Sequence, residues 1–125
     1  YKSETPFDTS TRHAPDLLRK ILAASPKDQA DYRLFYNINF PPVLPDDVKG
    51  VRIATQGFRR GSNFSVEPHF SPSGKRFVWI KGGNQQIVTE TGTDAAVNLD
   101  GYISVTPMRA DLTAHDTLEA LKGIE

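Results

Sequence analysis

Cysteine is absent from this chain of 125 residues. Its absence excludes disulfide bonds, thiolate metal sites and a cysteine nucleophile. The sequence also has no apolar run that approaches the ~18 to 20 residues of a membrane-spanning helix, and its first residues lack the apolar segment of a signal peptide. We therefore expect a soluble, cytoplasmic protein that does not enter a membrane.

The chain has no excess of charge of either sign. Lysine plus arginine and aspartate plus glutamate number 15 each, so the formal net charge is zero. Without a global field, recognition of nucleic acid or of an acidic surface has to be local. The length suits one domain, but the sequence opens at Tyr1 without a methionine, and we expect it to be the second half of a longer protein.

The first periodic segment has the spacing of a helix. Asp8, Thr9 or Ser10 is the expected cap, and Ser25 before a proline is the expected end. The proline at position 15 is compatible with a helix if it lies in the first turns. Apolar residues at helical spacing predict one buried stripe, formed by Ala14, Leu17, Leu18, Ile21 and Leu22.

The pattern then changes to that of strands. Apolar residues alternate between positions 32 and 40, and Phe35 is apolar too, which predicts a strand covered on part of both faces. Residues 43–50 are expected to form a turn or short helix, and residues 51–55 a second strand. A helix followed by such strands favours an α/β fold.

Two β-forming runs, 64–70 and 76–81, flank a turn sequence with proline at its second position and glycine at its fourth. They predict a β-hairpin with an unusual amount of aromatic surface. Since an isolated two-stranded ribbon is marginal in water, the hairpin is expected to lie on its own domain or on another subunit. We assign an oligomer interface to Phe64, Val66, Phe70, Phe77 and Trp79.

The C-terminal part contains two further helix signals. Thr93 is expected to begin a helix that Gly101 closes, followed by a strand over 102–105 that ends before Pro107. The sequence 113–116 resembles a capping box for a last short helix, with Leu118 and Leu121 on one face and a glycine at position 123 as its C-terminal cap. Such a helix is too short to be stable alone and has to dock.

Several residue types that often carry chemistry are present, but none completes an active site. The pair Asp46 and Asp47 is interpreted as the cap of one helical turn and not as a Mg²⁺ or Mn²⁺ site, because further oxygen ligands are missing nearby. We expect His13 on an exposed helix face, and His69 as a surface residue of the hairpin. The glycine before Thr93 offers a phosphate-binding helix start as the less favoured alternative to a simple turn.

The last histidine has a partner in the sequence. His115 follows Asp111 by four residues, a spacing that permits a hydrogen bond across the start of the last helix. We interpret this pair as a structural anchor for the C-terminus. A catalytic pair is the less favoured reading because no nucleophile is evident.

Basic and aromatic residues that occur close together in the sequence provide a second hypothesis for the function. Such a surface is typical of proteins that bind single-stranded nucleic acid by stacking. The balanced charge and the nearby glutamates favour a subunit interface instead, so nucleic-acid binding is the alternative hypothesis. Its candidate residues are Arg59, Arg60, Lys75, Phe77 and Trp79.

Four blocks of the sequence carry a family resemblance. The first two are Asn37-Ile38-Asn39-Phe40-Pro41, and Gly50-Val51-Arg52-Ile53 with Gln56-Gly57. The last two are Pro72, Gly74 and Trp79-Ile80, and Gly92-Thr93-Asp94 with 101–108 and Asp111-Leu112-Thr113. Together they resemble the motifs of the SurE family, metal-dependent 5′/3′-nucleotidases, over the chain from about position 32. The resemblance implies a Rossmann-like three-layer α/β core with a projecting hairpin and a terminal helix that exchanges between subunits of a dimer or tetramer.

The resemblance also implies what this chain contributes. Family members hold a divalent metal, Mg²⁺ or Mn²⁺, with N-terminal motifs that have no counterpart here, so no catalytic or metal-binding residue is assigned to this chain. The implied reaction is metal-assisted attack on a nucleoside monophosphate. We expect residues 1–57 to be the last part of the nucleotidase core, 58–91 an oligomerisation arm, and 92–125 a returning helix, strand and swapped C-terminal helix.

Overall fold

The computed structural model describes residues 7–27 and 33–124. The predicted start of the first strand at position 32 lies outside these ranges. The elements are α1 (Asp8–Ala24), β1 (Phe35–Asn39), β2 (Val51–Ile53), β3 (Ser65–Phe70), β4 (Arg76–Lys81), α2 (Asp94–Leu99), β5 (Ile103–Met108) and α3 (Leu118–Leu121). Short 3-10 turns lie at Pro45–Asp47, His115–Thr117 and Lys122–Ile124. None of the helices in the described ranges has both the length and the apolar character to span a membrane.

Three strands form a mixed sheet in the order β1-β5-β2. The central strand β5 is antiparallel to β1, with Asn37 opposite Thr106, and parallel to β2, with Arg52 opposite Ser104. Since side chains alternate along a strand, β5 presents Ile103 and Val105 to one side of the sheet and the intervening residues to the other. The mixed α/β architecture predicted from the sequence is confirmed.

The apolar core lies on the α1 side of the sheet. Ile103 and Val105 are 1% exposed and pack with Leu17 of α1, while Ile21 borders the cluster. The predicted buried stripe of α1 is only partly correct, because Leu18 and Leu22 are exposed. Each of those leucines follows a core-facing residue by one position, which rotates it about 100° around the helix and away from a sheet of three strands.

The predicted side-chain cap of α1 is wrong. The helix is preceded by Phe7 without a side-chain capping bond, and the Thr9 hydroxyl donates to the carbonyl of Val43 at 2.5 Å instead. This bond ties the first turn of α1 to the loop after β1, and the threonine is buried there. Pro15 lies near the middle of α1 and not in its first turns, while the predicted end at Ser25 is confirmed.

The strand β5 is longer than the sequence predicts and includes Pro107. Proline lacks an amide hydrogen and is excluded from most central positions of a sheet. In β5, the Ile103 amide and the Val105 carbonyl bond toward the β2 side, so Pro107, two residues further on, turns its nitrogen to that side as well. There β2 has already ended at Ile53, and no ladder bond is lost.

The segment after β2 runs along the start of α2. The Thr55 carbonyl accepts from the Asp94 amide at 2.8 Å, and Thr93 is the N-cap, its hydroxyl accepting from the Ala96 amide. A Cβ on Gly57 would lie 3.0 Å from a carboxylate oxygen of Asp94, so only glycine permits this approach. The predicted helix start at Thr93 is confirmed.

Strands β3 and β4 form the predicted hairpin, with Val66 opposite Ile80 and His69 opposite Phe77. The Gly74 amide donates to the Ser71 carbonyl at 2.9 Å, and Gly74 takes φ +76°, the left-handed conformation that this turn requires. All strand residues of the hairpin are exposed except the half-buried Glu67.

The predicted capping box of the last helix is wrong. Asp111, not Thr113, supplies the side-chain acceptor, since its carboxylate accepts from the Thr113 amide at 3.0 Å. A 3-10 turn with no side-chain cap then leads into α3. Leu118 and Leu121 are half-exposed, and the glycine at 123 lies in a 3-10 turn without the positive φ expected of a C-terminal cap.

Candidate functional site

A polar pocket of about 470 Å³ lies on the face of the sheet that carries Thr106, away from the apolar core. Strands β1 and β5 form its floor, helix α2 one wall, and the loop from Gln56 to Arg59 another. The sequence builds this face by placing Asn37 and Asn39 at alternate positions of β1, between apolar residues that face the core. A polar concavity of this size suits a small ligand.

Three residues that line this pocket each have a buried polar side-chain atom with no hydrogen-bond partner among residues 7–27 and 33–124. These atoms are the Thr106 hydroxyl, the side-chain nitrogen of Asn98 and the Nε of Arg59. Thr106 is only 4% exposed. Buried polar groups in folded proteins are nearly always paired, so three orphans converging on one pocket mark it as a site that is completed by another group.

The pocket is rich in carboxamides and balanced in charge. Each carboxamide presents one donor group and one acceptor, so these side chains recognise ligands that carry both. Arg59 is the only cation and Asp94 the only anion among the lining residues. The carboxamides are Asn37, Asn39, Gln56, Gln85 and Asn98.

The carboxylate of Asp94 is held in place by backbone amides. Its Oδ1 accepts from the amide of Gly57 at 2.8 Å and from the amide of Ala95 at 2.7 Å. The same atom therefore fixes the 55–57 segment against α2. The alternative of a phosphate at this helix start is wrong, because the amides at its N-terminus bond to Asp94 and Thr93 and the helix presents a carboxylate there.

The acidic pair lies elsewhere and is exposed. Asp46 and Asp47 are inside the 3-10 turn that follows Leu44, so neither is the cap predicted from the sequence. Proline occupies the first position of that turn, which moves the cap one residue earlier. The expectation of an exposed His13 is also wrong, because its Nε2 lies 2.8 Å from the carbonyl of Pro45 and the ring is half-buried.

The described residues do not fit a divalent metal ion. No group of three or more histidine, aspartate or glutamate side chains within residues 7–27 and 33–124 is arranged to hold one. The polar pocket offers a single carboxylate, that of Asp94, with one oxygen already bonded to two amides. Mg²⁺ and Ca²⁺ require more oxygen ligands than this.

The sequence of the chain is similar to that of known proteins of one family. No family model matches the chain. The chain is 62% identical over 122 residues to the 5′-nucleotidase SurE of Ruegeria sp. (strain TM1040), an alignment that covers 98% of this chain and 47% of that protein. The chain belongs to the SurE family. It is also 60% identical over 121 residues to the 5′-nucleotidase SurE of Roseobacter denitrificans, covering 97% of this chain and 46% of that protein.

A solved structure supports the same assignment for this SurE-family chain. The crystal structure of the Sure protein from Aquifex aeolicus matches with a TM-score of 0.68 at 29% sequence identity. The match covers 99% of this chain and 48% of that one. The chain therefore spans about half the length of the SurE proteins it matches, consistent with the C-terminal half inferred from its motifs, and the SurE-like α/β fold is confirmed.

In this SurE-family chain both faces of the hairpin carry exposed apolar side chains, and the face with Trp79 also carries the ion pair between Glu67 and Lys81. Val66 and Phe70 lie on one face, at 59% and 70% exposed, while Phe77 and Trp79 lie on the other, at 45% and 60%. Phe64, just before β3, is exposed too. His69, expected at the surface, is exposed and stacks on Phe77 with ring centroids 5.7 Å apart.

The C-terminal pair predicted from its spacing forms a hydrogen bond. His115 Nε2 lies 2.8 Å from Asp111 Oδ2. This bond, assisted by the amide of Thr113, lowers the pKa of Asp111 from 3.8 to about 2. The pair is at the surface, and its bond closes the short segment between the two residues.

The candidate residues for nucleic-acid binding fall on separate elements. Arg59 lines the polar pocket, Arg60 lies over the ring of Phe58 at 5.6 Å, and Lys75 belongs to the hairpin turn. Within the described ranges, no hydrogen bond or ring contact joins these cations to Phe77 or Trp79. The arrangement gives no support to a stacking surface rimmed by cations.

The polar pocket was not predicted from the sequence. Asn37 and Asn39 were named only as part of a family motif, and Asn98 and Thr106 were not singled out. One signal was available, because two asparagines at alternate positions of a strand with an apolar opposite face indicate a polar surface inside a domain. Neither the burial of Thr106 nor the approach of Asn98 follows from spacing, since α2 reaches the sheet through a tertiary contact.

Proposed function

We propose that the full-length protein containing this chain is a divalent-metal-dependent 5′/3′-nucleotidase that hydrolyses nucleoside monophosphates to nucleoside and phosphate. The observation that carries the proposal is the 62% identity over 98% of this chain to a protein named 5′-nucleotidase SurE. We also propose a cytoplasmic location, as expected from the sequence.

The metal, Mg²⁺ or Mn²⁺, is proposed to be bound by residues outside this chain. The composition of the polar pocket supports this, because a site with one carboxylate and five carboxamides is suited to hydrogen bonding rather than to a hard dication. When bound, the ion would polarise the phosphoryl group. The residues of this chain would then serve to complete the core and to shape the substrate site.

We further propose that residues 58–91 form an arm that joins subunits of a dimer or tetramer, while 1–57 and 92–125 belong to the core. The exposed aromatic and aliphatic side chains on both faces of the hairpin support this arm. Such apolar surface is typical of an interface. Because both faces carry exposed aromatic side chains, the arm is expected to be enclosed by a partner and not merely to lie flat on it.

The pair Asp111 and His115 is proposed to fix the chain before the last helix. Their 2.8 Å hydrogen bond closes a loop of four residues at a point where the backbone leaves the sheet. Leu118 and Leu121 of α3 remain half-exposed, which supports docking of that helix on another subunit.

Hydrolysis by the full-length protein tests the activity. Release of inorganic phosphate from nucleoside 5′- and 3′-monophosphates is measured with added Mg²⁺ or Mn²⁺, after chelation, and after the metal is restored. We expect hydrolysis that stops on chelation and recovers with the metal. Absence of hydrolysis with either ion in a folded sample would refute the proposed activity, and hydrolysis that persists after complete chelation would refute the metal dependence.

A further inference from the structure

The polar pocket contains three buried groups whose hydrogen-bonding capacity is unused within the described ranges. Two of them, Asn98 Nδ2 and Arg59 Nε, are donors only, and the Thr106 hydroxyl both donates and accepts. Leaving a buried polar group unpaired is costly. All three belong to residues that line one pocket, and these residues come from the 56–59 loop, α2 and β5.

The charges of the pocket select the type of ligand. Arg59 is balanced by Asp94, so the lining has no net charge. A phosphate group would place its negative charges in a space that it shares with the Asp94 carboxylate, with a single cation to offset them. A neutral ligand has no such conflict, and the five carboxamides offer it donors and acceptors together.

The volume and polarity of the pocket also suit such a ligand. About 470 Å³ lies within the range of small-molecule sites. Packing of another protein segment would call for an apolar lining, since polar groups buried without partners destabilise an interface. Here the floor carries the polar residues Asn37, Asn39 and Thr106 beside the apolar Ile38 and Met108, and most of the lining is polar.

We propose that this pocket binds the neutral nucleoside moiety of the nucleotide substrate, through its ribose hydroxyls and the donors and acceptors of its base. Asn98 and Arg59 donate to oxygen or nitrogen acceptors of the nucleoside, and Thr106 exchanges a hydrogen bond with a hydroxyl or base edge. The pocket thereby determines which nucleotides are preferred. This inference rests on the proposed nucleotidase activity.

The first test compares substrates with and without a nucleoside in the full-length protein. For each variant, kcat/KM for adenosine, guanosine, cytidine and uridine 5′-monophosphates is divided by kcat/KM for p-nitrophenyl phosphate. Thr106→Val removes the hydroxyl and Asn98→Leu removes the carboxamide, and both substitutions keep the branching of the side chain. We expect each to lower the ratio for the preferred nucleotide by about threefold to tenfold, the effect of one lost hydrogen bond.

Thr9→Val is the matched control, because Thr9 is also buried but bonds to Val43 on α1's side of the molecule. Loss of that bond lowers the stability of Thr9→Val, and the ratio is expected to stay as in the unaltered protein. An unchanged ratio in Thr106→Val and Asn98→Leu, in folded samples, would overturn the proposal. Equal losses in Thr9→Val would overturn it too, since they would trace the effect to stability.

Direct binding separates this proposal from the activity on which it rests. Saturation-transfer NMR with the four free nucleosides is recorded on the full-length protein without metal. We expect at least one nucleoside to bind, and Thr106→Val to weaken its binding by about threefold to tenfold. If none binds at millimolar concentration while nucleotides are hydrolysed, the pocket assignment is wrong and the nucleotidase stands. If no nucleotide is hydrolysed, the activity is wrong, whatever the nucleosides do.

Discussion

Asn37 of β1 lies directly opposite Thr106 of β5 in the antiparallel pair that forms the floor of the polar pocket. Thr106 is 4% exposed, and its hydroxyl has no partner among the described residues. The apolar core occupies the other side of the same two strands through Val105 and Ile38. One strand pair therefore serves stability on one face and recognition on the other.

Gly57→Ala is expected to destabilise the protein by about 1 to 3 kcal/mol. The new Cβ would lie 3.0 Å from Asp94 Oδ1 and 3.1 Å from the Cβ of Thr93, which pushes the loop away from α2. Urea unfolding of the full-length protein measures the change. Gly123→Ala is the control, since no atom lies within 4 Å of its added Cβ. Equal stability of Gly57→Ala and the unaltered protein would contradict this packing.

The carboxyl of Asp111 is expected to titrate well below its ordinary pKa. The hydrogen bond from His115 lowers its pKa to about 2, from 3.8. Because the folded-state pKa is depressed, the stabilisation by Asp111 is present above pH 3.8 and is lost as the pH falls toward 2. Carbon-13 NMR of the carboxyl group follows the titration directly.

In His115→Ala the pKa of Asp111 is expected to rise toward 3.8, because its largest perturbing partner is gone. Lys122→Ala is a control on the same C-terminal segment, where the lysine pairs with Glu119 and not with Asp111. A pKa near 3.8 in the unaltered protein, or the same low value in His115→Ala, would show that this hydrogen bond does not form in solution.

Substitutions on the hairpin are expected to weaken subunit association. Trp79→Arg and Phe70→Arg each replace an aromatic residue by a charge on one of its two faces, and loss of an aromatic anchor costs an interface about 2 kcal/mol or more. Light scattering over a concentration series measures the shift toward smaller species. Leu112→Arg, at a leucine 93% exposed outside the hairpin, is the matched control. Unchanged association in both hairpin variants would exclude the arm.

The elements of this chain follow from local sequence more closely than its contacts do. The hairpin turn through Gly74 and the helix start at Thr93 were predictable because each depends on a few adjacent residues. Inclusion of Pro107 in β5 was not, since it depends on where a neighbouring strand ends. The same holds for His13, whose partner Pro45 is distant in sequence.

In the candidate site, too, features that depend on nearby residues were predictable and features that depend on tertiary contacts were not. The family motifs identified the chain as part of a SurE protein, and the spacing of Asp111 and His115 predicted their hydrogen bond. The pocket around Thr106 was missed, because its lining comes from β1, the 56–59 loop, α2 and β5, which only the folded chain brings together. Burial of a hydroxyl is a property of tertiary packing and leaves no periodic signal.

Phosphate release in matched samples of the full-length protein and of residues 1–125 alone, with Mn²⁺ and nucleoside monophosphates, tests the central claim most directly. That claim is that this chain completes a SurE nucleotidase whose metal lies in the rest of the protein. We expect hydrolysis by the full-length protein that depends on Mn²⁺ and none by residues 1–125, with circular dichroism to verify folding. Metal-dependent hydrolysis by residues 1–125 alone, or none by the full-length protein, would contradict the account.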